Sequence, residues 1–104
     1  MNMRKAKILL HNREAGLLTG SENEYCFQYL SGYTGQPVSL TMPVRSEPYC
    51  FKTFPPFFDG LLPEGIQLEG LLKTRKIDRH DYFSQLLAVG KDVVGAITIL
   101  PADE

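Results

Sequence analysis

The pattern of apolar and polar positions in the first part of the chain predicts strands. Two apolar runs, at 5–10 and 15–19, are separated by a short polar break, which is typical of a β-hairpin. A third run at 25–30 mixes aromatic and polar residues and ends in a turn-rich loop at 31–37. Residues 38–42 alternate apolar and polar with period two, as a half-buried strand does. This part of the sequence therefore predicts a β-meander.

The next part of the sequence has a different composition and predicts a helix. Residues 44–49 are expected to form an irregular connection. Residues 55–63 place four large apolar side chains among three prolines, and this run cannot be a central strand because proline donates no ladder hydrogen bond. Pro63 or Glu64 can open a helix that ends near Lys76. Leucines spaced three and four residues apart form one face of that helix.

The last part of the sequence predicts a second helix and a final strand. Asp78 is expected to cap this helix, and Gly90 stands at its C-terminal end. The β-branched run at 93–100 is expected to return to the sheet. The predicted fold class is therefore α+β: a small antiparallel β-meander or sheet, two or three short helices, and a C-terminal strand that returns to the sheet. We expect residues 1–104 to form a single domain.

Length and charge limit the classes of function. The chain has 104 residues, with 11 basic and 12 acidic side chains and a net charge of -1. A complete protein kinase or barrel enzyme needs roughly 200 residues or more, so this chain is too short to be one. The near-neutral balance gives no electrostatic footprint for direct nucleic-acid binding. No apolar run is long enough to span a membrane, so we expect a cytoplasmic protein without a membrane partner.

The two cysteines are expected to be structural. Cys26 and Cys50 lie 24 positions apart, with no CxxC motif and no histidine at ligand spacing. A disulfide framework or a zinc site is therefore not expected. The favoured interpretation is a pair of buried thiols that pack as small apolar groups.

No arrangement of residues in the sequence points to catalysis. Signatures of nucleotide-binding loops, metalloproteases and serine hydrolases are absent. His80 and Asp81 are neighbours, and neighbouring residues on a helix point in different directions, so they form no oriented acid–base pair. Glu64 and Glu69 would diverge on a helix and cannot act as paired carboxylates. We therefore expect no enzymatic activity and no cofactor or metal.

The stretch from Pro55 to Leu68 has the most unusual composition. In a tight helical turn its large apolar side chains could all be buried. Alternatively, part of it could project as a rigid apolar knob, and rigid apolar anchors are typical of interface hot spots because little entropy is lost on docking. On that interpretation the partner-binding residues are Phe57, Phe58, Leu61, Leu62, Pro63, Glu64, Gly65, Ile66, Gln67 and Leu68.

Three blocks of sequence carry a family resemblance. They are SLTMPVRSEPY at 39–49, FFDGLLPEG at 57–65, and LL at 86–87 followed by VGKDVVGA at 89–96. In this order they resemble the N-terminal subdomain 1 of HipA-type serine/threonine kinases, over nearly the whole chain. In that family a kinase core follows the subdomain. A chain of this size is similar to the stand-alone version, the HipS antitoxin of three-gene HipBST toxin–antitoxin modules.

The resemblance implies an interaction protein. HipS-like proteins bind and inhibit a separately encoded HipT-like serine/threonine kinase, and a HipB-like DNA-binding protein can complete a ternary complex. Two other interpretations stay open: a non-inhibitory assembly module of a kinase–repressor complex, and the first subdomain of a longer HipA-like kinase. Many relatives carry an aromatic or basic residue after L-P-E-G, where this chain has Ile66. Inhibition could therefore use Ile66 as a smaller plug, or act on the conformation of the kinase.

Overall fold

The computed structural model describes residues 4–21, 24–90 and 96–102. The elements are, in chain order, β1 (Arg4–Leu10), β2 (Arg13–Gly20), β3 (Tyr25–Tyr29), β4 (Tyr49–Phe51), α1 (Pro56–Asp59), α2 (Gly65–Arg75), α3 (Tyr82–Val89) and β5 (Ile97–Pro101). The strands form one antiparallel sheet in the order β4-β3-β2-β1-β5, so the C-terminal strand joins the sheet beside β1. The predicted α+β class is confirmed. None of the described helices has the length and apolar composition needed to cross a membrane.

The hairpin of β1 and β2 lies where the sequence predicts it. His11 and Asn12 connect the two strands, and both have positive φ angles, of 51° and 65°. Two such residues in succession are characteristic of a type I′ turn, whose twist matches the right-handed twist of paired strands. The register shifts once, between Ile8 and Leu9, which introduces a bulge near the turn.

One face of the sheet carries the hydrophobic core, because alternate residues of a strand point to the same side. The fully buried apolar side chains include Ile8, Leu18, Phe27, Phe58, Phe83, Leu86 and Ile99. They come from four strands and from α1 and α3, whereas no residue of α2 is buried. The apolar face of the sheet is therefore covered by the shortest helix and by the last one.

The predicted strand from Val38 to Met42 is wrong, because this segment is a tight turn. The Met42 N–H donates to the Ser39 carbonyl oxygen at 3.1 Å. The Tyr29 hydroxyl accepts a hydrogen bond from the Val38 N–H at 2.9 Å and donates to the Met42 carbonyl oxygen. Val38 and Met42 are buried because the two ends of the turn face the core, which imitates the alternation of a strand. The fourth strand of the sheet is β4 instead.

The expectation of two buried thiols is also wrong. Cys26 on β3 and Cys50 on β4 lie directly opposite each other, with their Cα atoms 4.0 Å apart, and their sulfurs form a disulfide. Cys26 is half-buried and Cys50 is exposed. The spacing along the chain could not show this pairing, because it depends on β4 adding to the edge of β3.

Asp81 caps α3, so the prediction of Asp78 as the cap is wrong. The Asp81 carboxylate accepts from the Ser84 N–H at 3.1 Å and pairs with Arg4 Nη1 at 2.7 Å. Asp78 accepts from the His80 N–H at 2.7 Å and so stabilises the turn before the helix. Burial would raise the pKa of Asp81, but the hydrogen bonds from Ser84 and the pairing with Arg4 outweigh it and lower the pKa below 3.8. This ion pair ties the start of β1 to the start of α3.

Gly90 ends α3 against the last strand, at the position expected for it. The Ile99 N–H donates to the Gly90 carbonyl oxygen at 2.9 Å. A Cβ atom at Gly90 would lie 2.1 Å from the Ile99 carbonyl oxygen, so only glycine allows this approach. The predicted strand began at 93, and 91–95 lie outside the described residues; the described strand begins at Ile97.

Two glycine-to-alanine changes should therefore have opposite effects on stability. We expect Gly90→Ala to destabilise the fold by about 2–3 kcal/mol, because the helix end or β5 must move. Gly70→Ala should stabilise it by about 0.5–1 kcal/mol, because alanine favours the helix and a Cβ there meets nothing within 4 Å. Urea unfolding measures both. Equal effects of the two changes would contradict the packing of Gly90 on β5.

The Asp81 ion pair should make stability depend on pH. Since the folded-state pKa is lowered, its contribution is present above pH 3.8 and is lost as the pH falls through the folded-state value. Asp81→Asn keeps an N-cap acceptor and removes the charge. We expect a loss of about 0.5–1 kcal/mol at neutral pH, modest because both side chains are about one third exposed. Thermal unfolding of both proteins should show this difference shrinking as the pH falls below 3.8; a constant difference would contradict the assignment.

Candidate partner-binding site

Two prolines and a tight helical turn form the start of the candidate site. Pro55 is buried, and Pro56 opens α1. The Asp59 N–H closes the turn by donating to the Pro55 carbonyl oxygen at 2.9 Å. Proline suits this place because the first helical N–H has no partner within the helix. The turn directs Phe58 into the core and leaves Phe57 half-buried, so this end of the site is anchored.

The chain leaves the core at the start of α2. Glu64 is extended, and Gly65 follows with a φ of 62°, a conformation that glycine adopts at no steric cost. Ile66, in the first turn of α2, has a side chain that is 90% exposed. A large aliphatic side chain so exposed, on a helix with no buried residue, is the apolar projection that the sequence suggested.

The predicted partner-binding residues differ in accessibility. Phe58 is fully buried, so it can support the surface but is not open to a partner. The half-buried residues are Phe57, Leu61, Leu62, Pro63 and Leu68, and the exposed residues are Glu64, Gly65, Ile66 and Gln67. We refer to these nine, without Phe58, as the docking surface. Both interpretations of the sequence therefore hold in part: the turn buries its central aromatic ring, and the segment after it projects.

Polar contacts link α2 to the loop that precedes α3, and that loop to α3 itself. Arg79 Nη2 donates to the Glu69 carboxylate at 2.8 Å. The Arg79 carbonyl oxygen accepts from Nε2 of Gln85, a buried residue of α3, at 2.9 Å. Leu62 and Leu68 line a groove of about 280 Å³ beside Arg79, where α2 and α3 begin. These contacts connect α2 to α3, and the Arg79–Glu69 pair is more than half exposed, so it contributes little stability by itself.

Among the residues that the structure describes, the one set of three metal-ligand side chains within 4.8 Å of one another is Glu24, Cys26 and Cys50, and its two sulfurs are bonded to each other. Burial raises the pKa of Tyr29, whose hydroxyl holds the turn at Val38. The side chains of the docking surface are apolar except for those of Glu64 and Gln67.

One exposed apolar residue was missed by the sequence interpretation. Leu40 is 95% exposed at the tip of the turn after β3, where a half-buried strand was expected. The signal was present in the neighbouring residues: Ser39 Oγ accepts from the Thr41 N–H at 3.2 Å, a local bond that serine favours in turns. Leu40 is a second exposed apolar residue, outside the docking surface, and it is a matched reference for Ile66.

Two comparisons with known proteins match nearly the whole chain. A family model described as the HipA N-terminal domain matches residues 6–100. A solved structure described as the N-terminal domain of HipA toxin superposes with a TM-score of 0.76 and 30% identity, covering 97% of this chain and 94% of the other.

Two relatives differ greatly in length. An uncharacterised protein of Haemophilus influenzae is 33% identical over 97 residues, which are 93% of this chain and 92% of that protein. A putative kinase of Sinorhizobium fredii, Y4mE, is 34% identical over 80 residues, which are 77% of this chain and 19% of the kinase. The same kind of domain therefore occurs both in a protein of similar length and as about one fifth of a much longer one.

The positions of Phe58 and Ile66 predict opposite costs of truncation. We expect Phe58→Ala to destabilise the free protein by about 3–5 kcal/mol, because it leaves a cavity in the core. Ile66→Ala should change stability by no more than about 0.5 kcal/mol, because the side chain packs on almost nothing. Denaturant unfolding of both variants tests this. A large loss in Ile66→Ala would assign Ile66 to the core.

Proposed function

The chain belongs to the HipA N-terminal domain family, and we propose that it binds and inhibits a separately encoded HipA-like (HipT) serine/threonine kinase, as a HipS-type antitoxin does. The family is a kinase-associated one, as the match to the putative kinase Y4mE illustrates. The relative from H. influenzae is of similar length to this chain, which supports a domain of this kind acting as its own protein. Catalysis by this chain has no part in the proposal.

The observation that carries the proposal is the exposure of Ile66. Leaving an isoleucine 90% exposed on an otherwise unburied helix forgoes about 1.5–3 kcal/mol of hydrophobic stabilisation that a partner could supply. The half-buried Leu68, together with Leu62 and Pro63, provides apolar surface nearby. Because Ile66 already lies on a formed helix, docking does not require this segment to fold.

The residues around Ile66 suit an interface with a central anchor. Glu64 and Gln67 are exposed polar neighbours, and such polar residues typically form the rim of an interface. A partner cleft that accepts Ile66 would therefore be apolar at its centre. We propose that Ile66 is the anchor and that Leu68 extends the contact along α2.

The proposal predicts that a charge at Ile66 abolishes the complex without unfolding the chain. We expect Ile66→Glu to weaken kinase binding by at least about 30-fold, because a buried anchor is replaced by an unpaired charge. Its melting temperature should equal that of the natural protein. The matched control is Leu40→Glu, which introduces the same charge at an equally exposed apolar residue outside the docking surface.

Co-expression with a HipT-like kinase from the same genome provides the measurement. Size-exclusion co-elution reports the complex, and growth of the host reports inhibition of the toxin. Co-elution and growth with Leu40→Glu, and neither with Ile66→Glu, is the expected result. Co-elution of the natural chain without rescue of growth would overturn inhibition in favour of an assembly role with a HipB-like DNA-binding protein. Absence of any complex would overturn the proposal.

A second experiment separates two modes of inhibition. If Ile66 enters the nucleotide cleft of the kinase, raising the ATP concentration should relieve inhibition, because the two compete for one site. If the chain acts on the conformation of the kinase, inhibition should persist at saturating ATP. Kinase assays over a range of ATP concentrations, with the natural chain in fixed amount, distinguish these modes.

A further inference from the structure

The disulfide occupies an accessible place at the edge of the sheet. Lys5, Thr19, Cys26 and Cys50 lie opposite one another across four adjacent strands. None of the four is buried, and β4 is the outermost strand on this side. A groove of about 420 Å³, whose lining includes Thr19 and Cys26 but not Cys50, lies on the Cys26 side of the bond.

We propose that Cys26 and Cys50 form a thiol–disulfide exchange site for low-molecular-weight thiols, with Cys50 as the residue that takes up the thiol. The reason is the difference in access between the two residues. Cys50 is exposed on the edge strand, whereas Cys26 is half-buried on β3 between two neighbours. Exchange requires the attacking thiolate to reach a sulfur, so the exposed one is attacked. This inference is independent of the proposed kinase partner.

The exchange balances in two steps. A thiolate RS⁻ attacks Sγ of Cys50, the Cys26–Cys50 bond breaks, and the Cys26 thiolate leaves and takes up a proton. A second thiolate then attacks the sulfur of R in the mixed disulfide, which releases the Cys50 thiolate and one molecule of RSSR. Two thiols are thus oxidised to RSSR while the protein disulfide is reduced to two thiols. The reverse reaction uses RSSR as the oxidant.

A carboxylate beside the sulfurs should control the rate. A side-chain oxygen of Glu24 lies within 4.8 Å of both sulfurs. Its negative charge repels an approaching thiolate, which slows reduction of the disulfide by an anionic thiol. We expect Glu24→Gln to accelerate reduction about two- to five-fold, with the effect reduced by salt because the site is exposed.

Opening the disulfide should loosen β4 and leave the rest of the fold in place. The strand has three residues and is held on either side by independent contacts. On one side the Tyr49 hydroxyl donates to the Pro43 carbonyl oxygen at 2.6 Å. On the other side Phe54 is buried and packs edge-on against Tyr25, with ring centroids 5.2 Å apart. Faster amide exchange on reduction is therefore expected in β4 and not in β1 or α3.

The test uses the full chain with reduced and oxidised glutathione as probes. Intact mass should show reversible interconversion of the disulfide, a single-glutathione adduct and the dithiol, and peptide mapping should place the adduct on Cys50. The matched variants are Cys26→Ser and Cys50→Ser, each with one thiol. We expect Cys50 in the first variant to take up glutathione from its disulfide at least about ten times faster than Cys26 in the second.

Three results would overturn the inference. Equal or faster modification of Cys26 would remove the assignment to Cys50. Reduction that occurs only under unfolding conditions would show that the bond is inaccessible in the native protein. A dithiol that oxidised glutathione leaves unchanged would show that the pair does not take part in exchange.

Discussion

The structure depends on how the apolar face of the sheet is covered. Four strands present large apolar residues such as Phe27 and Ile99 to one side, and burying them is the main driving force for folding. Phe58 of α1 and the Phe83–Leu86 side of α3 fill that space. No residue of α2 is then needed inside, so this helix lies on the surface with its leucines only half-buried. The exposed position of Ile66 follows from this distribution of the core.

Contacts with the rest of the fold flank the docking surface on both sides. Phe58 anchors the preceding turn in the core, and Arg79, positioned by the buried Gln85, holds Glu69 on α2. Between these anchors, Gly65 changes the chain direction with a positive φ. A side chain that already projects from a formed helix needs less ordering on docking than one on an unfolded segment, which is the physical basis for proposing Ile66 as an interface anchor.

The disulfide addresses a different weakness of the fold. A domain of about 100 residues buries only about two thirds of its extended surface, so its stability margin is small. The edge strand β4 is only three residues long and pairs on one side. The cross-link to β3 closes a loop of 24 residues along the chain, which in the chain-entropy model contributes about 3 kcal/mol. An accessible bond with this role would make the stability of the edge responsive to the thiol environment.

The sequence by itself determined the elements whose signals are local. The β1–β2 hairpin, the proline-bounded start of the helical region, the C-terminal strand and the segment containing Ile66 were all predictable, because turn residues, proline and hydrophobic period act within a few positions. The resemblance of three sequence blocks also predicted the family.

Tertiary structure decided the features that depend on residues far apart in the chain. The Tyr29 hydroxyl binds the backbone at Val38, so residues 38–42 form a turn and not a strand. Arg4 pairs with Asp81, the residue that caps α3. Pairing of β4 with β3 places Cys50 opposite Cys26. The tertiary structure also decided which apolar residues are buried. Phe58 and Ile66 are both large and apolar, but only Phe58 has a place in the core, and Ile66 stays exposed.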